Sequence, residues 1–292
     1  MNALLRFLGL TALPHTVRRV LFALVAVYLV QLVMAVLRRP ELEVYGTLVT
    51  TRVLAGEVWR VLSYGALHLV GTNPLLDAVL AALFLGGLVV AWRSPWGQNE
   101  RGLLFVAAFV IATLIQHLGH GAGFHLLFNA FALVWFGPQF ERSWGARRFL
   151  VFLLSCVAGG GVAVVAGDAL VDSWPEVAVA GFSGASQGLI VAFAVYQPNT
   201  TIMASMVLPL KASYLVIGLV LLSAIDLIPS ARYGDLAPGA SQALAHLGGM
   251  LTAYLMTSGM WRPGKLRRAF AGEPKNKPSH LRVVRPPDKW VH

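Results

Sequence analysis

The sequence predicts an all-α fold, a polytopic bundle of transmembrane helices, and three observations carry that prediction. Only 12% of the residues are charged while 57% are hydrophobic, about half the ~25% charged residues of an average soluble domain. The apolar residues gather into long runs separated by short polar hinges, the pattern of a chain whose solvent is lipid. Lys and Arg stand at the ends of those runs, as at Arg18 and Arg19, Arg38 and Arg39, and Arg142 with Arg147 and Arg148.

Eight runs qualify as spans: Val20 to Leu37, Leu75 to Trp92, Gly102 to Leu118, His125 to Phe136, Phe149 to Ala166, Val177 to Tyr196, Val207 to Ile225 and Ala240 to Met256. Several fall short of the ~20 residues of a perpendicular span, so tilting or incomplete crossing is expected among them. A cleaved signal peptide is the rival reading of the first run. No small-residue cleavage site precedes Arg38-Arg39, which favours a retained helix. Placing Arg18-Arg19, Arg93 and Arg101, Arg142 to Arg148 and the tail on the cytoplasmic side puts both termini inside; Arg38-Arg39 is the exception. Short loops and lean architecture point to a bacterial inner membrane.

The chain divides into a cytoplasmic segment at 1–19, a transmembrane domain at 20–258 and a basic cytoplasmic tail at 259–292. That tail holds nine of the Lys and Arg residues behind a net charge of +10. A Pro-containing basic extension without apolar periodicity suits anionic lipid rather than nucleic acid. Cys156 is the single cysteine and lies in an apolar run, so no disulfide forms within one chain. His117, His120 and His125 lack a nearby carboxylate, and no metal or other cofactor is expected.

Polar side chains set into apolar helices need a partner or a task. Three groups stand out: Gly181-Phe182-Ser183-Gly184-Ala185-Ser186-Gln187-Gly188, Ala245-His246-Leu247-Gly248-Gly249, and His125-Leu126-Leu127-Phe128-Asn129. With helices beginning at Val177 and Ala240, Ser183 and His246 each lie six residues in, at a matched depth of ~9 Å. Gly184 with Gly188, and Gly249 with Ala253, form small-xxx-small faces that let two helix backbones approach closely. His246 would then serve as general base to a Ser183 nucleophile. His125 and Asn129 share a helical face and supply donors for an oxyanion beside the Ser183 and Gly184 backbone. The literal G-x-S-x-G pattern instead names Ser186, but that motif needs a strand-turn-helix elbow. Bonding of both serines to helix carbonyls alone is the bland alternative.

Together these residues resemble those of the rhomboid family of intramembrane proteases. The similarity extends to Phe136-Gly137, Glu141, Gly145 and Phe149-Leu150, to Pro209-Leu210-Lys211-Ala212, and to Trp59-Arg60 ahead of His68. It implies a six-helix transmembrane core, a Ser183-His246 dyad, an oxyanion site with His125 and Asn129, transmembrane protein substrates and surrounding membrane lipid as partners. Gly181, Gly184, Gln187 and Gly249 support that site.

Two features depart from the family. An extra hairpin at about 75–118 separates Arg60 from His125, and in the whole stretch between those two residues His68, Asn73 to Asp77, Gly86-Gly87 and Trp96-Gly97 echo the later His120, His125 to Asn129, Gly137 and Trp144-Gly145. A partial duplication and convergent helix composition both explain the echo. Gln187 stands where the family commonly has an aromatic residue packed on the catalytic histidine; an amide there is placed to bond the imidazole. Both departures motivate a second reading, a catalytically silent relative that binds membrane helices as a scaffold or quality-control factor. A channel or transporter finds no support, because the intramembrane ionisable groups form one shallow cluster.

Overall fold

The computed structural model describes residues 13–68, 70, 79, 122–171, 177–204, 208–233 and 237–260. Apart from Val79 the expected hairpin lies outside them, as do residues 1–12, His117, His120 and residues 261–292 of the tail.

The described chain is mostly helical. Helix α1 (His15–Val36) leads into three short helices, α2 (Glu41–Gly46), α3 (Thr50–Leu54) and α4 (Arg60–Ser63), and a 3-10 turn at Tyr64–Ala66. Then follow α5 (Ala122–Trp144), α6 (Ala146–Leu170), α7 (Ser183–Tyr196), α8 (Ala212–Tyr233) and α9 (Ala237–Ser258). Helices α1 and α6 are long and apolar enough to cross a membrane, while α7 and the Ala212–Leu227 part of α8 are shorter apolar helices.

One short hairpin accompanies the helices. Strands β1 (Thr201–Ala204) and β2 (Leu208–Lys211) pair antiparallel, Thr201 opposite Lys211. Pro198 removes an amide donor just past α7, and the β-branched Thr200, Thr201 and Ile202 favour extended backbone.

The start of α7 is a correction. Residues Val177 to Phe182 are not helical; Val179 instead exchanges two backbone hydrogen bonds with Leu48, both 2.9 Å. Gly181 follows at φ +139°, a conformation that favours glycine and interrupts any helix. Ser183 therefore opens α7 rather than lying six residues inside it, and His246 lies in the third turn of α9.

Helix α9 packs chiefly on α6 and α7, and α7 also touches α5 and α8. The expected small faces make this possible: a Cβ built on Gly249 would lie 2.6 Å from Gly184 Cα, and one on Gly188 3.2 Å from Ala253 Cβ.

At the far end, Glu141, which with Arg142, Arg147 and Arg148 reads in the sequence as a cytoplasmic charged cluster, takes backbone partners. Its carboxylate accepts the Thr16 amide at 2.7 Å and the Val17 amide at 2.8 Å, capping α1, whose own N-cap residue Pro14 offers no side-chain bond. Burial pulls this carboxyl upward, but the two amide bonds outweigh it and hold the group below the ordinary carboxylate range. A depressed value in the folded state stabilises at pH above the ordinary range, and that stability disappears as pH falls through the lowered value. Glu141→Gln is expected to cost about 1 kcal/mol near neutrality, with the gap to wild type closing in acid. Thermal unfolding in detergent micelles at both pH values checks this.

Candidate active site

The loop after α1 is built around a buried guanidinium. Arg60 donates to Glu57 Oε2 at 2.7 Å, Thr47 O at 2.7 Å and Val44 O at 2.8 Å, and is 2% exposed. Each carbonyl would otherwise be an unpaired acceptor, so one side chain orders the loop. The ordered loop supplies Leu48 to Val179, and Tyr64 O accepts the Gly181 amide at 3.0 Å. The non-helical run before Ser183 is held on both sides.

Ser183 and His246 meet. The Ser183 Oγ to His246 Nε2 distance is 2.8 Å, with Ser183 buried and the imidazole half-buried. The expected pairing therefore arises from the first turn of one helix and the third of another, not from two residues each six positions into a helix. As the first two residues of α7, Ser183 and Gly184 carry amides with no intrahelical acceptor, beside the positive end of the helix dipole.

A third side chain joins them. Gln242 Nε2 donates to Ser183 Oγ at 3.2 Å and lies 3.1 Å from His246 Nε2. The sequence reading assigns the bond to imidazole to Gln187 instead; no bond joins those two side chains, and Gln187 Oε1 is buried without a partner among the described residues. The usable signal was spacing, since Gln242 and His246 stand at i and i+4.

The N-terminal part of α9 is also anchored. Asp168 of α6 accepts Ser241 Oγ at 3.1 Å and Thr50 Oγ1 at 2.6 Å. One carboxylate thus ties the loop, α6 and the residue preceding Gln242, setting the rotation of α9 that aims Gln242 and His246 at Ser183.

His125 and Asn129 lie beside the pair without bonding Ser183 directly. A Cβ on Gly181 would fall 2.5 Å from His125 Cε1, so the glycine admits the ring. Asn129 Nδ2 is 3.2 Å from His68 Nε2, and the His68 and His125 rings meet edge to face at 5.3 Å. His68, read from the sequence as part of the stretch that echoes the later helix, thus belongs to this cluster. Gln31 fixes it through reciprocal bonds with the His68 backbone, each 3.0 Å.

Ser186 faces only carbonyls, Phe182 O at 3.3 Å and Asn129 O at 3.4 Å. Among the described residues no basic group bonds it, and it has the helix-bonded role of a structural serine.

Residues 116–263, just over half of the 292-residue chain, match the Rhomboid domain family. No curated protein matches the sequence. A Rhomboid domain combined with helices of membrane-spanning length describes a membrane protein. The chain belongs to the rhomboid family.

Proposed function

We propose that the protein is an intramembrane serine endopeptidase in which Ser183 is the nucleophile and His246 the general base. The observation that carries this reading is the 2.8 Å contact between Ser183 Oγ and His246 Nε2 at the unsatisfied N-terminus of α7. Oγ attacks a scissile carbonyl as its proton passes to Nε2; the tetrahedral oxyanion is met by the Ser183 and Gly184 amides, with His125 and Asn129 as side-chain donors. The imidazolium then protonates the leaving amine, and water, deprotonated by the same nitrogen, releases the acyl group. Among the described residues no acidic side chain bonds His246.

The finer architecture belongs to the same reading. A six-helix rhomboid core at 20–258 carries an inserted hairpin at about 75–118, and the termini, the 1–19 segment and the 259–292 tail face the cytoplasm of a bacterial inner membrane. The site lies near the outer face, where water reaches it. Substrates are transmembrane helices that unwind locally, which favours Gly, Ala and Ser near the cut, because a helical peptide bond is shielded by its own hydrogen bonds.

The silent-scaffold reading is motivated by Gln187 and the inserted segment, and opposed by the intact Ser183-His246 contact. Reconstitution in liposomes with transmembrane helices carrying small-residue segments separates the two. The expected result is a cut near the outer end of a substrate that Ser183→Ala does not make. Substrate binding without cleavage by wild type would establish the scaffold instead.

A further inference from the structure

We propose that Gln242 is a third catalytic residue, its carboxamide N–H donating to Ser183 Oγ and aiming the hydroxyl proton at His246. The assignment rests on the dyad reading above and deepens it.

Three atoms form a closed triangle: Ser183 Oγ to His246 Nε2 at 2.8 Å, Gln242 Nε2 to Ser183 Oγ at 3.2 Å, and Gln242 Nε2 to His246 Nε2 at 3.1 Å. A serine hydroxyl has one proton and two lone pairs. If that proton is to reach Nε2, whatever else bonds Oγ must be a donor, which identifies the facing group of Gln242 as its NH2 rather than its carbonyl. With a lone pair of Oγ engaged by the amide, the O–H vector is held on the nitrogen that will remove it. The alignment is built rather than incidental, because Gln242 and His246 share one face of α9, and Asp168 pins the adjoining Ser241.

The amide also discriminates between ground and transition states. At rest, Gln242 N–H and Ser183 O–H compete for the single Nε2 lone pair. As the O–H bond breaks and the proton bonds Nε2, that nitrogen stops accepting, and the amide's donation falls on Oγ, where negative charge grows until the bond to carbon forms. An interaction stronger in the transition state than before it accelerates the step. The amide keeps both of its protons throughout. A dyad with no acidic third member thereby gains a neutral one, on the nucleophile's side rather than behind the histidine.

Gln242→Met keeps the side chain's length and removes the donor; Gln242→Glu keeps the shape and makes it acceptor-only. The rate constant for labelling of the purified protein by a fluorophosphonate is measured for wild type, both variants and Ser183→Ala, with the thermal unfolding midpoint alongside. Loss of a single oriented donor predicts slowing of roughly 100-fold in Gln242→Met, a larger loss in Gln242→Glu, and unchanged midpoints. Wild-type labelling at Ser183 with Gln242→Met equally fast or faster overturns the assignment and leaves the dyad intact. Wild type that does not label, or Ser183→Ala that labels normally, overturns the dyad and this assignment with it.

Discussion

Ser183→Ala and His246→Ala each lower the rate of fluorophosphonate labelling and of substrate cleavage by a factor on the order of 10⁴ or more, and the double variant is no worse than either single one. The non-additivity follows from the geometry. The two groups act in one proton transfer across 2.8 Å, so removing either removes the whole step. Ser186→Ala leaves both rates near wild type, because its hydroxyl bonds only Phe182 and Asn129 carbonyls. Equal damage from Ser186→Ala and Ser183→Ala would show that packing at the start of α7, rather than nucleophilicity, is being measured.

Gly249→Ala carries the second large effect, through a single methyl group. That carbon would lie 2.5 Å from Gly184 O and 2.6 Å from Gly184 Cα. Both are backbone atoms that cannot rotate aside, so α7 and α9 must separate. Overpacking of this kind costs roughly 1–3 kcal/mol, and misplacement by about 1 Å can cost on the order of 10²-fold in rate. The dyad spans this same interface, so labelling should fall further than the unfolding midpoint predicts. Gly218→Ala in α8 is the control, since a Cβ there meets none of the described residues within 4 Å; it should leave labelling unchanged and the midpoint no lower.

Much of this candidate site is legible in the sequence. Ser183 and His246 stand out because lipid leaves a polar side chain without water, and Gly184 and Gly249 stand out because only small residues permit the approach that their pairing needs. The helix expected from Val177 starts later for a physical reason: apolar content from Val177 onward reads as helix, but Val179 pairs with Leu48, a contact between distant parts of the chain that no local periodicity reports. The positive φ at Gly181 has the same origin, since it lets the chain turn from that pairing into α7 while clearing the His125 ring.

The amide was expected in the right chemistry and on the wrong helix. Gln187 lies four residues past Ser183 on α7, whereas Gln242 lies four residues before His246 on α9, a relation that is plain helical spacing. Glu141 shows the same limit at the opposite end. Next to Arg142 it reads as part of a charge cluster, whereas the chain brings the first turn of α1 to it and the carboxylate becomes a cap. His68 reached the His125 cluster through Gln31 and Asn129, partners 37 and 61 residues away. Local pattern therefore revealed which residues needed partners, and long-range backbone pairing decided which partners they received.

The central claim, that Ser183 is a nucleophile activated by His246, is tested most directly by mapping the fluorophosphonate adduct by mass spectrometry in wild type and His246→Ala. The account predicts one phosphonylated residue, Ser183, in wild type and no adduct in His246→Ala on the same timescale. An adduct on Ser186, or equal modification of Ser183 without the histidine, would contradict it.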